Sequence, residues 1–272
     1  MHNELYIISL NCRSIYSRLS ELKLLVYKEE PHIVCLSETW AVQNRIPSFI
    51  NYRSHWKHRI GSRGGGLAIL VRSDIVTIPK LLTEITSGLE VQTVTILMEN
   101  YKIDLLNIYN AERNTNMNTF LHYFQQLSRK FIIVGDFNAH HHIWSKMGTP
   151  SNITGNSLAA ILGNRDDISL ATPPQLTTYI DARTANESTL DLCFMSSNLM
   201  NPSIIDALPC VGSDHLPIRI KLNIKPIIQK SKIRPKWKLD GIDWFQWSSN
   251  LDRLEWDDQI SLDIANSNLK NA

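Results

Sequence analysis

A mixed α/β or α+β domain is the fold class that this sequence predicts, and three observations lead to it. Short apolar runs rich in β-branched residues alternate with stretches of helical period. Apolar residues make up 43% of the 272, enough for a sizeable core in one large domain or two small ones. No run approaches the ~20 apolar residues that a membrane-crossing helix needs. Disorder and coiled coil are therefore poor readings of the whole chain, and no membrane partner is expected.

The first expected strand, Leu5–Leu10, is too short for a signal sequence and runs into Asn11 and Arg13. A helix over Leu19–Glu29 should lead to a second strand at Ile33–Leu36. Gly64-Gly65-Gly66 precedes the strand Leu67–Val71 and reads as a tight turn, a bulge or a close backbone approach to a ligand. It lacks the G-x-x-x-x-G-K-[ST] pattern of a nucleotide loop. Strands are expected at Val91–Met98 and Ile103–Tyr109. From Thr115, a candidate N-cap, to Arg129 the spacing of Met117, Phe120, Leu121, Phe124 and Leu127 predicts a helix. Phe131–Val134 follows as a strand and Asn156–Leu162 as a helix. Leu190–Met195 alternates like a strand, and Leu216–Leu222 is the last one expected. Residues 1–224 thus form the expected domain. Residues 225–272, basic and then rich in Trp and acids, read as a linker with room for one short helix.

Charge excludes a partner held by bulk positive potential, since 28 Lys and Arg face 26 Asp and Glu. The distribution is uneven. Residues 1–220 hold 19 bases and 19 acids, so the whole excess lies beyond them. From Thr39 to Ser73 there is no carboxylate, while Arg45, Arg53, Lys57, Arg59, Arg63 and Arg72 occur there with Trp40, Tyr52 and Trp56 between them. Such a run is either a solvated face or a track for phosphates, and its aromatics are either core residues or stacking platforms. Arg45, Arg59 and Arg63 are the candidate DNA contacts from it. Cys12, Cys35, Cys193 and Cys210 show no C-x-x-C spacing. That argues against a zinc site or a disulfide scaffold and for a reducing, intracellular location.

Chemistry gathers at strand ends. Asn11, Glu38, Asp136 with Asn138, Asp191, and Asp214 with His215 each sit where an expected strand begins or stops. A sheet that brought those ends together would make a pocket suited to metal-assisted phosphodiester cleavage. Mg²⁺ favours hard oxygen ligands, so Glu38, Asn11 and Asp214 form a suitable set. His215 suits proton transfer near neutral pH, and Asp191 could orient its ring. Asp136 could position water while Asn138 donates to the developing phosphorane charge. Either Asp136 or His215 could take the proton. His140-His141-His142 looks like a metal cluster, but three consecutive side chains cannot easily share one ion. It reads as a surface or supporting loop, from which His140 could reach phosphate.

The order Asn11, then Leu36-Ser37-Glu38-Thr39-Trp40, Arg63-Gly64-Gly65-Gly66, Gly135-Asp136-Phe137-Asn138-Ala139-His140, Thr189-Leu190-Asp191-Leu192 and Ser213-Asp214-His215 resembles the endonuclease/exonuclease/phosphatase superfamily. Within it, the sequence is most similar to the apurinic-like endonuclease domain of jockey-type non-LTR retrotransposons. Trp144 and Gly155-Asn156 add to the likeness. The resemblance implies a four-layered sandwich of two packed mixed sheets flanked by helices. It implies a Mg²⁺-dependent nick in double-stranded DNA, with Mn²⁺ able to substitute, that leaves a 3′-hydroxyl for primed reverse transcription. It also implies a C-terminal reverse transcriptase and element RNA as partners, with action in the nucleus. Asn11 and Glu38 match the metal-proximal pair, Asp136 and Asn138 the water- and phosphate-handling pair, and Asp191 with His215 the dyad. Asp214 matches a carboxylate near the metal, and Tyr109 a phosphate-contacting tyrosine. Two positions depart from the pattern: Asn110-Ala111 stands where proline often follows the tyrosine, and His32 where Asp often follows Pro31. Two other functions remain open: an abasic-site or small phosphoester hydrolase of the same fold, and a catalytically silent DNA-binding fragment.

Overall fold

The computed structural model describes residues 4–59, 61 and 64–229. Arg63 and residues 230–272 of the expected linker lie outside the described residues. In chain order the strands are β1 (Leu5–Asn11), β2 (Ile33–Ser37), β3 (Tyr52–Lys57), β4 (Leu67–Arg72), β5 (Thr77–Lys80), β6 (Leu89–Leu97) and β7 (Lys102–Asn110). They continue with β8 (Phe131–Asp136), β9 (Ile168–Leu170), β10 (Tyr179–Ile180), β11 (Glu187–Ser188), β12 (Asp191–Ser196), β13 (Pro202–Ala207) and β14 (Ile218–Leu222). The helices are α1 (Leu19–Glu29), α2 (Met117–Phe124) and α3 (Ile153–Asn164).

Two six-stranded sheets share one plan. The first runs β13-β14-β1-β2-β4-β3 and the second β5-β6-β7-β8-β12-β9, with β10 and β11 as a separate hairpin. In each sheet only the central pair is parallel, β1 with β2 and β7 with β8. Parallel neighbours need a crossover, and α1 and α2 supply the two. The carboxyl ends of four central strands therefore point the same way within each sheet, which is where open α/β sheets place their ligands.

Packing makes four layers. Leu5, Ile7, Ile33, Cys35 and Ile69 of the first sheet meet Val94, Ile96, Leu105, Ile132, Val134 and Cys193 of the second in a shared core. On the outer side of the first sheet, Ile8, Leu10, Val34 and Leu36 pack on Leu22, Leu25 and Val26 of α1. On the outer side of the second, Leu106, Ile108 and Ile133 pack on Phe120 and Phe124 of α2 and on Leu158 and Ile161 of α3. Both faces of the central strands are covered, so β1, β2 and β8 are buried throughout. The expected sandwich of two mixed sheets flanked by helices is what the chain forms, and all four cysteines are free.

Several elements differ from the sequence expectation. The second helix is capped by Asn116, whose side chain accepts from the Thr119 N–H at 3.0 Å, and stops at Phe124. Thr115 instead donates its hydroxyl to Asn110 Oδ1 at 2.7 Å. The third helix starts three residues earlier than expected, because Asn152 caps it by accepting from the Gly155 N–H at 2.7 Å. Tyr52–Lys57, read as part of a basic run, is an edge strand, and its Tyr52 and Trp56 pack against the outer core of the first sheet. Past β14 the chain remains paired to the domain, with Met98 bridged to Pro226 and Ile75 to Ile228.

Two positions carry backbone and pH consequences. Gly135, inside β8, has φ 136°, and a Cβ there would lie 1.9 Å from the Ile108 carbonyl of the parallel neighbour. His32 is buried and accepts the Tyr6 N–H at 2.9 Å, tying the turn after α1 to β1. Burial first, and then Arg72, lowers the His32 pKa to about 4. The unfolded chain therefore binds a proton below about pH 6.5 that the folded chain refuses until about pH 4.

Gly135→Ala should destabilise the domain by several kcal/mol, on the order of 3, in urea unfolding, because neither φ nor the β7–β8 approach can relax cheaply. Unfolding free energy should fall by roughly 2–3 kcal/mol on His32's account as pH drops from 7 to 4. His32→Asn, whose side-chain oxygen can take the Nδ1 role, should flatten that slope. An unchanged pH profile in the variant would rule His32 out as the source.

Candidate active site

Four central strand ends deliver the polar residues. Asn11 ends β1, Glu38 follows β2, Tyr109 and Asn110 end β7, and Asp136 ends β8. Asp191 opens β12 directly opposite Asp136, and His215 reaches in ahead of β14. Face-to-face packing of the sheets brings both groups of ends together.

Asn11 is fully buried, and its amide nitrogen donates to Glu38 Oε1 at 3.0 Å and to Asp136 Oδ2 at 2.8 Å. Its oxygen accepts the Arg13 N–H at 3.1 Å. A flipped amide would set that oxygen against two carboxylates, so the hydrogen-bond network assigns the orientation. Asp136 Oδ1 accepts the Asn138 N–H at 2.9 Å, and the Asn138 amide donates to the Asn110 carbonyl at 2.9 Å. Asn110 stands where the resemblance suggested proline, and hydrogen bonds do the anchoring: its amide donates to the Phe137 carbonyl at 2.8 Å.

His215 Nδ1 pairs with Asp191 Oδ2 at 2.8 Å, and its Nε2 lies 3.8 Å from Asp136 Oδ2. Burial opposes charge on the ring, but the Asp191 and Asp136 carboxylates outweigh it and raise the His215 pKa to about 9. Burial, with Asp191 repulsion against the pull of His215, holds the Asp136 carboxyl well above the usual carboxylate range. Three buried carboxylate–imidazole partners thus share one proton-rich pocket with an excess of negative charge.

The loop holding Glu38 is clasped from the side. Glu38 and Trp40 have φ 49° and 50°, in the left-handed region. Thr39 N–H donates to the Gly66 carbonyl at 3.1 Å and Trp40 N–H to the Gly65 carbonyl at 2.9 Å. Gly66 N–H in turn donates to Glu90 Oε2 at 2.7 Å. A Cβ on Gly66 would meet Thr39 Oγ1 at 2.8 Å, so the triple glycine is a close approach to the Glu38 loop. Burial and the hydrogen-bonded Glu38 push the Tyr109 phenol up.

Asp214 forms an ion pair with Arg13, and its charge acts on both Arg13 and His215. The outer candidates lie farther from this network. Arg45 stacks on Tyr16, 4.9 Å from the ring centre. Arg59 is paired with Glu90 and sits 5.4 Å over the Tyr109 ring, so it is tied into the site and is not a free base. Lys57 and Arg72 also find carboxylates, in Glu84 and Asp74. His140 anchors α3 through its backbone, while burial and Arg113 lower its ring pKa.

Sequence reasoning missed Arg13, Tyr179 and Ser213. The Tyr179 ring meets the His215 ring edge-on at 4.9 Å. Ser213 donates to the Asn11 carbonyl at 2.8 Å and accepts the His215 N–H at 3.2 Å. Only the Ser213-Asp214-His215 adjacency could have flagged Ser213. Arg13 and Tyr179 carry no local signal, because their partners are 201 and 36 residues away.

Among the described residues, Asp136, Asp191 and His215 bring one ligand atom each within 4.8 Å of one another. That spacing could hold an ion directly. The Asp191–His215 hydrogen bond makes those two a dyad instead, and leaves Asp191 Oδ1 buried without a partner.

Residues 103–219 match a family described as Endonuclease-reverse transcriptase. The chain is 27% identical over 224 residues to the probable RNA-directed DNA polymerase from transposon X-element of Drosophila melanogaster, covering 80% of this chain and 24% of that protein. It is 28% identical over 232 residues to the RNA-directed DNA polymerase from mobile element jockey of the same fly, covering 82% and 24%. The chain therefore spans about a quarter of the length of these relatives. Among solved structures, the endonuclease domain of TRAS1, a telomere-specific non-LTR retrotransposon, superposes with TM-score 0.66 at 19% identity over 80% of this chain and 98% of that one. An AP endonuclease from Archaeoglobus fulgidus gives TM-score 0.59 at 17% identity, over 81% and 100%. The resemblance drawn from the motifs is borne out by these relatives and by the shared fold.

Asp191→Asn should drop the His215 pKa toward 6.5, read from the ring proton shifts in an NMR titration. A His215 that still titrates near 9 would mean Asp191 does not hold its charge.

Proposed function

We propose that this chain, with the endonuclease/exonuclease/phosphatase fold and jockey-type relatives, is a metal-dependent endonuclease that nicks target DNA and leaves a 3′-hydroxyl to prime reverse transcription. One observation carries the reading: a buried Asp191–His215 pair faces Asp136 and the Asn11–Glu38 pair at the joined strand ends. An electrostatic constellation of this kind suits an in-line displacement at phosphorus.

The donor set fits a hard divalent cation, since Glu38 and Asp214 offer carboxylate oxygens beside a pocket whose buried carboxylates exceed its cations. Glu38 and Asp214, with Asn11 behind Glu38, would hold Mg²⁺ or Mn²⁺, which would polarise the scissile phosphate and offset charge on the leaving oxygen.

Each residue's share follows from its surroundings. Asp136, raised in pKa and fixed by Asn11 and Asn138, accepts the proton of the attacking water. His215, kept charged by Asp191 and Asp136, sets a cation against the phosphate oxygens. Asn138 and Tyr109 are further donors at these strand ends, and to donate to phosphate each would have to give up a partner it holds here, Asp136 or Glu38. Asn138 has φ 48°, a strained backbone that aims its amide beside Asp136. In a longer polyprotein the partners are double-stranded DNA, a C-terminal reverse transcriptase and element RNA, acting in the nucleus.

Supercoiled plasmid should relax with the purified chain and Mg²⁺, and EDTA should stop the reaction. His215→Ala and Asp136→Asn should each slow it about 10²–10⁴-fold. A polymerase should extend the nick directly, reporting the 3′-hydroxyl. Plasmid that stays intact with every metal tested would sink the proposal.

A further inference from the structure

Trp40 stands apart from the catalytic cluster yet borders it. Its side chain belongs to none of the three cores, and the residue is 37% exposed. Its backbone is left-handed, an uncommon state for a bulky residue, and is pinned to Gly65 on the neighbouring loop. The backbone that carries the ring is thus fixed at a point where solvent reaches the side chain.

Two clefts meet on this residue. One, of about 560 Å³, is lined by Arg13, Arg18, Gly212 and the site residue Asp214. The other, of about 330 Å³, is lined by Ser14, Tyr16, Arg59 and Gly65. Both volumes fall within the roughly 300–1,000 Å³ usual for small-ligand pockets. Arginines line both: Arg18 has a buried Nε with no partner among the described residues, the half-exposed Arg13 is paired with Asp214, and Arg59 is paired with Glu90 over Tyr109 of the site. An exposed aromatic between two arginine-lined clefts offers stacking surface for bases, and Arg18 offers an unpaired Nε–H to a phosphate beside them.

We infer that Trp40 is a stacking wedge for nucleobases, dividing the path of the bound strand next to the scissile phosphate so that neighbouring bases seat in the clefts on its two sides. This rests on the nuclease reading above and adds to it the residue that sets how the strand must be distorted before it is cut. Inserting a ring between bases requires unstacking them, so DNA with a mismatch at that step should bind more tightly than a fully paired duplex.

The experiment is equilibrium binding by fluorescence anisotropy, with Ca²⁺ replacing Mg²⁺ to hold off turnover, on a duplex built around a mapped plasmid nick and carrying 2-aminopurine beside it. Wild type should bind with a change in 2-aminopurine emission, and more tightly when the flanking step is mismatched. Trp40→Ala should bind about tenfold more weakly or worse and lose both effects, while Trp40→Phe should keep them. Should Trp40→Ala fail to fold, Trp40→Leu, apolar but without a ring face, gives the same comparison. A folded Ala or Leu variant that binds and changes emission like wild type overturns the inference, even if nicking by the wild type stands. A wild type that neither binds nor nicks DNA removes the nuclease reading and this inference with it.

Discussion

One buried carboxamide joins the two halves of the candidate site. Asn11 ends a strand of the first sheet, and its amide nitrogen is shared between Glu38 of that sheet and Asp136 of the second. Carboxylates taken out of water need donors, and a neutral amide serves two of them without adding charge. Because Asn11 cannot move without breaking its hydrogen bonds to both carboxylates, the two sheets hold one relative position at this point. The shared apolar core sets the sheets face to face, and Asn11 fixes where their polar ends meet.

The same economy governs the charges around the site. Buried Asp136 and Asp191 would be costly side by side, and His215 lies between them at 3.8 and 2.8 Å. On the rim, three bases of the carboxylate-free run from Thr39 to Ser73 are paired with acids from outside it, Asp74, Glu84 and Glu90. Of the described bases in that run, Lys57, Arg59 and Arg72 are thus paired, which leaves Arg45 and Trp40 among its exposed residues.

Strain concentrates in the same place. Arg13, Ser14, Glu38, Trp40 and Asn138 all have positive φ, and each lies just beyond a central strand. A strand that ended in an ordinary turn would aim these side chains elsewhere. Gly66 makes the conformation of the Glu38 loop possible, since a Cβ there would meet Thr39 Oγ1 at 2.8 Å, while one at Gly65 would strike the Arg59–Glu90 pair beside it.

Much of this was legible in the chain. Apolar runs with covered faces announced β1, β2, β4, β6, β7, β8, β12 and β14, and helical spacing announced all three helices. Polar residues at strand ends announced the candidate set, because order along the chain survives folding. What stayed illegible was non-local. The edge strand β3 hid in a run that reads by charge, since it exposes one face. Asn116 displaced Thr115 as a cap because Thr115 was needed by Asn110. His32 became a buried acceptor for Tyr6, which no local pattern encodes. By itself the sequence determined eight of the fourteen described strands, the three helices, the mixed α/β class and the types of side chain at the strand ends, because period and residue type are local properties, while the four-layer arrangement entered only through the family resemblance. Only the tertiary structure decided that Asn11 bridges two sheets, that Arg13 meets Asp214 and that Trp40 stays in solvent. Those outcomes depend on which distant groups the packed sheets bring within hydrogen-bonding reach.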